Sequence, residues 1–359
     1  MYIEVWSVAK STEKSSTFVA MKWVLYSLIF SMIALAATSC GSEKEQERKG
    51  QTANQNIDSL LLANPDSVPL LIQRGELYFK EYQYDLALKD AAKAYRLEKS
   101  NPKAKLLYAE VINNRPDRTP KEVATAQTLY KEIIKKDAKN TRALIGVAST
   151  YSFQADYEKS FNFINKALRV DKHYRAAYIL KGSNYLALGN RDKAISSYET
   201  AVQQDPNFYE AYFFLANIYE AEGNPQCIEY FRNAYELRPD YTEFEYRLAY
   251  AKQNFGQYEE AQKIYRNIAA DTSDFYANRG YFHLGHIKQF EMNEIDSAIF
   301  YYKLALQKEP RHVESWHNLG ICYDDKGDKT QALKSFGKAL KYNPEFELSR
   351  NYADSIRFL

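Results

Sequence analysis

Cysteine is scarce in this sequence, with three in 359 residues, too few for the disulfide framework of a small secreted fold. Glycine is thin as well: 13 are present, and none sits in a P-loop, a dinucleotide fingerprint or a nucleophile elbow, nor does an HExxH zinc motif occur. Charge of one sign is missing, since 48 Lys and Arg face 46 Asp and Glu for a net +2. A nucleic-acid-binding protein usually shows a basic excess or stripe, so no nucleic acid is expected as a partner. Also absent is an apolar run of the roughly 20 residues that a membrane-spanning helix needs. The longest, Trp23 to Ala37, has 15. These absences argue against an enzyme, and no cofactor and no small-molecule substrate are expected.

What is present is apolar and aromatic. Hydrophobic residues make up 45% of the chain and aromatic residues 15%, including 31 tyrosines and 19 phenylalanines. Such a composition belongs to an ordered, core-forming protein. Length alone suggests about two domains, a prior that fails for a repeat array.

The first 39 residues read as an address. Met21-Lys22 precedes the apolar run, and small residues Ala37-Thr38-Ser39 follow it just before Cys40. A positive region, a short apolar region and a small-residue end make a secretory signal peptide. Met21 is the better start, because from Met1 the charged region is long and carries Glu4 and Glu13. The Ala-Thr-Ser-Cys ending resembles the lipobox of bacterial lipoproteins, with Ala37 where leucine is commoner. That resemblance implies lipid on Cys40, which then becomes the first residue of the mature chain. Gly41, where aspartate would retain the protein, implies outer-membrane sorting, with the periplasmic face favoured and the cell surface left open. An uncleaved signal anchor is the alternative. Residues 41–56 (GSEKEQERKGQTANQN) are polar and cannot bury enough apolar surface to fold. Residues 40–56 therefore read as a flexible tether. Without residues 1–39 the net charge is +1, so attachment to the membrane would rest on acyl chains rather than on attraction to anionic lipid.

The remainder repeats. Small residues recur at Gly75, Ala109, Ala148, Gly182, Ala216, Ala249, Gly285 and Gly320, mostly 33 to 36 apart with one step of 39. A second series runs Ala87, Ala126, Ser160, Ala194, Cys227, Ala261, Ala298 and Ala332. A third, seven residues on, runs Ala94, Ile133, Ala167, Ala201, Ala234, Ile268, Ala305 and Ala339. Between the last two series a large residue stands in seven of eight units, from Tyr130 and Ile164 to Tyr302 and Phe336, with Ala91 the exception. A fixed period of this length is the signature of a solenoid.

The pattern resembles the tetratricopeptide repeat. Its last unit carries the motif almost whole, in Trp316, Leu319, Gly320, Tyr323, Ala332, Phe336, Ala339 and Pro344, and the fourth unit nearly so. The departures are specific. Lys252 and Lys288 stand where tyrosine is usual, and Lys99, Ala138, Lys172 and Ser273 replace proline. The resemblance implies an all-α fold, a right-handed superhelical solenoid of about eight helix-turn-helix repeats over residues 68–344. Residues 57–67 read as an N-terminal capping helix and residues 345–359 as a C-terminal one; such caps keep solenoids soluble. An insertion of five residues within Asn113 to Val123 reads as a longer protruding loop, and the junction Asp271 to Asn278 gains two or three residues.

In this family the first helices of the pairs line a concave groove. The positions that project into it carry Glu210, Phe213, Asn217 and Glu220, then Glu243, Tyr246, Tyr250 and Gln253. They continue with Arg279, Phe282, His286 and Gln289, and end with Glu314, His317, Ile321 and Asp324. Phe213, Tyr246, Tyr250 and Phe282 form a candidate stripe of aromatic anchors, with Asn217, Arg279, His286 and His317 beside them. That composition suits capture of a protein or peptide segment, and lining of the solenoid interior or contact with the C-terminal helix is the competing reading. The family's carboxylate clamp is unmatched, with Ile145 and Ser149 where lysine and asparagine would fall. The histidines lack the acidic partners a zinc site wants. The function expected is an envelope scaffold. The rival is a glycan-binding outer-membrane lipoprotein of the starch-capture type, which the short insertions and the single tryptophan of the mature chain, Trp316, disfavour.

Overall fold

A computed structural model describes residues 57–270 and 276–357. The signal-peptide and tether segments, with Cys40, lie outside the described residues, as does most of the junction at 271–275. The described residues are helical throughout, without a strand. They fall into two compact units that divide at Phe208 and Tyr209.

The first unit opens with α1 (57–63) and continues as four helix pairs. These are α2 (Val68–Lys80) with α3 (Tyr84–Leu97), and α4 (Pro102–Asn114) with α5 (Pro120–Lys136). Then come α6 (Thr141–Phe153) with α7 (Tyr157–Val170), and α8 (Arg175–Ala187) with α9 (Arg191–Gln204). The second unit holds α10 (Tyr209–Ala221) with α11 (Gln226–Leu237), and α12 (Thr242–Asn254) with α13 (Tyr258–Ala270). It continues with α14 (Ala277–His286) and α15 (Ile295–Lys308), α16 (Val313–Asp325) and α17 (Lys329–Tyr342), and a final α18 (Glu347–Arg357). This is the tetratricopeptide architecture, helix pair stacked on helix pair.

Six of the eight pairs are turned by the same local chemistry. A residue at the end of the turn donates its N–H to the carbonyl five residues earlier, as Asn190 does to Tyr185 and Asp328 to Tyr323, and in the seventh repeat Glu294 reaches six residues back to Lys288. That bond draws one residue into the left-handed region, which glycine enters without a Cβ penalty. Gly189, Gly223, Gly256 and Gly327 fill the place in four repeats, at φ between 66° and 77°. Tyr82, Ala155 and Asn293 fill it in three others, at φ of 55° to 58°.

Large rings then enter slots left by small residues. The Tyr198, Tyr302 and Phe336 rings lie so close to Gly182, Gly285 and Gly320 that an added Cβ would sit 2.5 to 2.8 Å from them. All three rings are fully buried. Where the ring is missing, a neighbour substitutes. Ala91 leaves the slot at Gly75 to Leu107 of the next first helix.

The five-residue insertion of the second repeat does not form a protruding loop. Asn113 and Asn114 are buried in α4, and the connection that follows is only residues 115–119. The rest lengthens α5 to 17 residues, against 14 for α3, α7 and α9. The Thr119 hydroxyl and the Glu122 carboxylate close a capping box there, which satisfies the orphan N–H groups of the extra turn. The seventh repeat takes up one additional residue inside its first helix, where Ile287–Glu291 winds as a π-turn. Such turns are the usual mark of a single-residue insertion in a helix.

Both ends are covered. Ile57 and Leu61 of α1 are buried against Val68, Leu71 and Ile72, and Arg74 clamps Asp58 of α1 and Asp90 of α3. At the other end Ala353 and Ile356 of α18 cover Ile321 and Phe336.

Candidate functional site

Residues three and four apart share a helix face, so Tyr246 and Tyr250 line one side of α12 and Phe282 and His286 one side of α14. The two sides meet. Tyr250 lies 5.5 Å from the His283 ring and Phe282 lies 5.2 Å from it, in edge-to-face arrangements. Phe282 continues to His286 at 6.3 Å, and His286 to Phe290 of the π-turn at 4.7 Å. Tyr246, Tyr250, Phe282 and His286 are all half-buried, and Phe290 is exposed. The exposed Arg279 guanidinium sits 5.9 Å over Tyr246 and 5.4 Å over Tyr276. The result is a continuous aromatic strip on the first helices of repeats six and seven.

His283 organises the strip from below. Its Nε2 meets the Tyr246 hydroxyl at 2.9 Å, and its ring stacks on Tyr265 at 4.9 Å with 6° between planes. Burial pushes its pKa down to about 3, so the imidazole is neutral. Its Nδ1 is buried without a hydrogen-bond partner. The role of His283 depends on Tyr265, which comes from the preceding repeat, so the sequence around it gives no signal of it. Gln253 completes the support. It accepts from the Tyr265 hydroxyl at 3.0 Å and meets His286 Nδ1 at 3.3 Å.

Three other expected groove residues are not on this strip. Phe213 is 2% exposed, with Phe244 of the next first helix 5.0 Å away and Phe231 5.8 Å away. Its ring wedges between the neighbouring helices and becomes core, unlike Tyr246 and Phe282 at the same position of the next two repeats. His317 is likewise buried, because α18 lies over it: its Nδ1 meets the Ser349 hydroxyl at 2.9 Å, and burial lowers its pKa to about 4. Asn217 is half-buried and occupied, donating to the Phe213 carbonyl and accepting from Arg247.

Carboxylates flank the strip. Arg247 pairs with Glu220 at 2.7 Å. Burial raises the pKa of Glu220 and of Glu243, against the opposing pull of Arg247 on both and of Arg279 on Glu243. In the first unit the matching face is closed by charge. Arg142 on α6 holds Glu110 on α4 at 2.6 Å and reaches Glu76 on α2 at 3.3 Å. The lysines in tyrosine positions are also paired across their turns, Lys252 with Glu260 and Lys288 with Glu294.

Among the described residues no group of three or more His, Cys, Asp or Glu is placed to hold a metal ion. Cys227 and Cys322 are free and buried, and burial pushes their thiols up to about 11 and about 12. No helix among the described residues is long and apolar enough to cross a membrane. The arrangement offers aromatic faces, a guanidinium and carboxylates, which is equipment for binding.

Profiles of the tetratricopeptide repeat match residues 141–174, 179–241, 244–271, 279–312 and 313–346, together more than half of the chain. The chain is 23% identical over 232 residues to protein bimA of Emericella nidulans, covering 64% of this chain and 27% of that protein. It is 30% identical over 195 residues to the BBSome complex member BBS4 homolog of Drosophila melanogaster, covering 52% of this chain and 38% of the relative. The chain thus spans well under half the length of these relatives. Among solved structures, the Cut9–Hcn1 hetero-tetramer of the APC/C aligns with a TM-score of 0.52 at 16% identity, over 96% of this chain and 64% of that one. The human IFIT1 dimer with PPP-AAAA aligns at 0.50 and 19% identity, over 81% and 78%. At such identities the likeness is one of fold. With the family profiles in register with the helix pairs, the chain belongs to the tetratricopeptide repeat family.

Proposed function

We propose that the protein is a lipid-anchored adaptor of a bacterial cell envelope that captures a segment of a partner protein on the first helices of its second unit. The observation that carries the capture is the half-buried strip of Tyr246, Tyr250, Phe282 and His286, with Arg279 beside it. Rigid aromatic side chains give large contact area at small entropic cost, and here they stand on two helices braced by His283 and Gln253. Tetratricopeptide repeats are a protein-interaction scaffold, which supports the same reading. The Ser39-Cys40-Gly41 sequence supports acylation at Cys40 and outer-membrane delivery. Trp316 gives the glycan reading no help, since its indole N–H is spent on the Pro310 carbonyl.

The test is photo-crosslinking in cells from position 250, with position 300 on the outer face of α15 as control and mass spectrometry of the products. A discrete protein attached from 250 and not from 300 is expected. Self-adducts alone at 250 would mean that the strip is lining. Intact-mass analysis of membrane-extracted protein is expected to show acyl mass on Cys40, and its absence would remove the anchor.

A further inference from the structure

In the first unit, residues of α5, α6, α7 and the connection between α5 and α6 line a cleft of about 470 Å³. Its floor is Ile134, Leu144 and Phe163, and its rim carries Lys139, Lys166 and Arg169. Comparison between repeats explains why it is open. In the fourth repeat the Tyr178 hydroxyl donates to the carbonyl of Lys172, six residues earlier, at 2.9 Å. In the eighth, the Trp316 indole makes the same bond to Pro310, and after it Arg350 does so to Pro344. The third repeat has Leu144 at this position, a side chain that is too small to fill the space and has no donor for the carbonyl of Ala138, which lines the cleft. The three rim cations have no carboxylate partner among the described residues, and the Lys166 ammonium lies 4.5 Å over the Phe163 ring.

We propose that this cleft binds a small aromatic carboxylate. The ring replaces the tyrosine or tryptophan that the third repeat lacks, a ring N–H or O–H donates to the Ala138 carbonyl, and the carboxylate meets the rim cations. A free small molecule is favoured over a longer chain because the volume lies at the low end of small-molecule sites. The site is separate from the aromatic strip of the second unit and does not depend on the partner reading.

The probe is N-acetyl-tryptophan, titrated calorimetrically into the full chain, with N-acetyl-tryptophanamide as the uncharged control. Saturable binding of the acid is expected, with the amide weaker by at least about tenfold because it lacks the charge. Leu144→Trp fills the cleft with the residue of the eighth repeat and should abolish binding without lowering the thermal midpoint. Lys166→Glu with Arg169→Glu changes only exposed residues and should also weaken the acid at least about tenfold. No saturable binding to the wild type, equal binding of acid and amide, or binding unchanged by either variant would overturn the proposal. So would a tryptophan-terminated peptide binding far more tightly than the free acid.

Discussion

Tyr246 and His283, 37 residues apart, share a 2.9 Å hydrogen bond between phenol and Nε2. The bond fixes a half-exposed ring of the strip to a buried, neutral imidazole. Tyr246→Phe keeps the ring and leaves Nε2 without this partner beside an already unpaired Nδ1. The variant should lose about 1–2 kcal/mol of stability, read as a lower urea midpoint at constant m-value. A midpoint equal to the wild type would mean that the bond contributes nothing net.

The turn residues offer a cleaner backbone experiment. Ala155 is held at φ 57°, where an L side chain is strained and glycine is not. Ala155→Gly should stabilise the protein by about 1 kcal/mol. Gly189 has φ 73° and open space where a Cβ would stand, so Gly189→Ala should cost about as much through the backbone alone. Thermal midpoints that move in the same direction for both variants would contradict this account.

Acid should act on the second unit first. His283 and His317 titrate in the folded protein near about 3 and about 4, against an ordinary value of 6.5. Between those values the unfolded chain binds more protons, so stability is full above pH 6.5 and falls as pH drops toward 4. At pH 5 each histidine should subtract about 2 kcal/mol. Hydrogen exchange compared at pH 7 and pH 5, corrected for intrinsic rates, should show protection lost in α14 and α16 before α6 and α8.

Arg142 holds Glu110, whose carboxylate burial disfavours and Arg142 favours. Arg142→Met strands that carboxylate. Because Arg142 is partly exposed, the cost should be about 1–2 kcal/mol, less than for a buried pair. Adding Glu110→Gln should recover part of it. A double variant as unstable as the sum of both single variants would show that the pair is uncoupled.

The repeat register was legible because Gly182, Gly285 and Gly320 recur for one steric reason, room for Tyr198, Tyr302 and Phe336. The register also brought Tyr246, Tyr250, Phe282, His286 and Arg279 to one place. It misjudged Phe213 and His317, because helical position says which way a side chain leaves the backbone and not what lies above it. For His317 that covering is Ser349 of the C-terminal capping helix, which the competing reading allowed for. The destination of the inserted residues was equally hidden, since Thr119 and Glu122 act as a helix start only once α5 is known to begin there. Arg142 reaching Glu76 could not be read, being a contact that skips a repeat.

That skipped repeat changes how the first unit comes apart. In an array whose members touch only their neighbours, fraying proceeds one helix pair at a time from an end. Arg142 joins the third first helix to the first as well as to the second, so the outermost pair cannot leave without disturbing a charge two pairs inward. The tie adds coupling between repeats one and three of the size an exposed ion pair supplies, at most about 1 kcal/mol, so loss of the outermost pair also removes a charge contact from the third repeat.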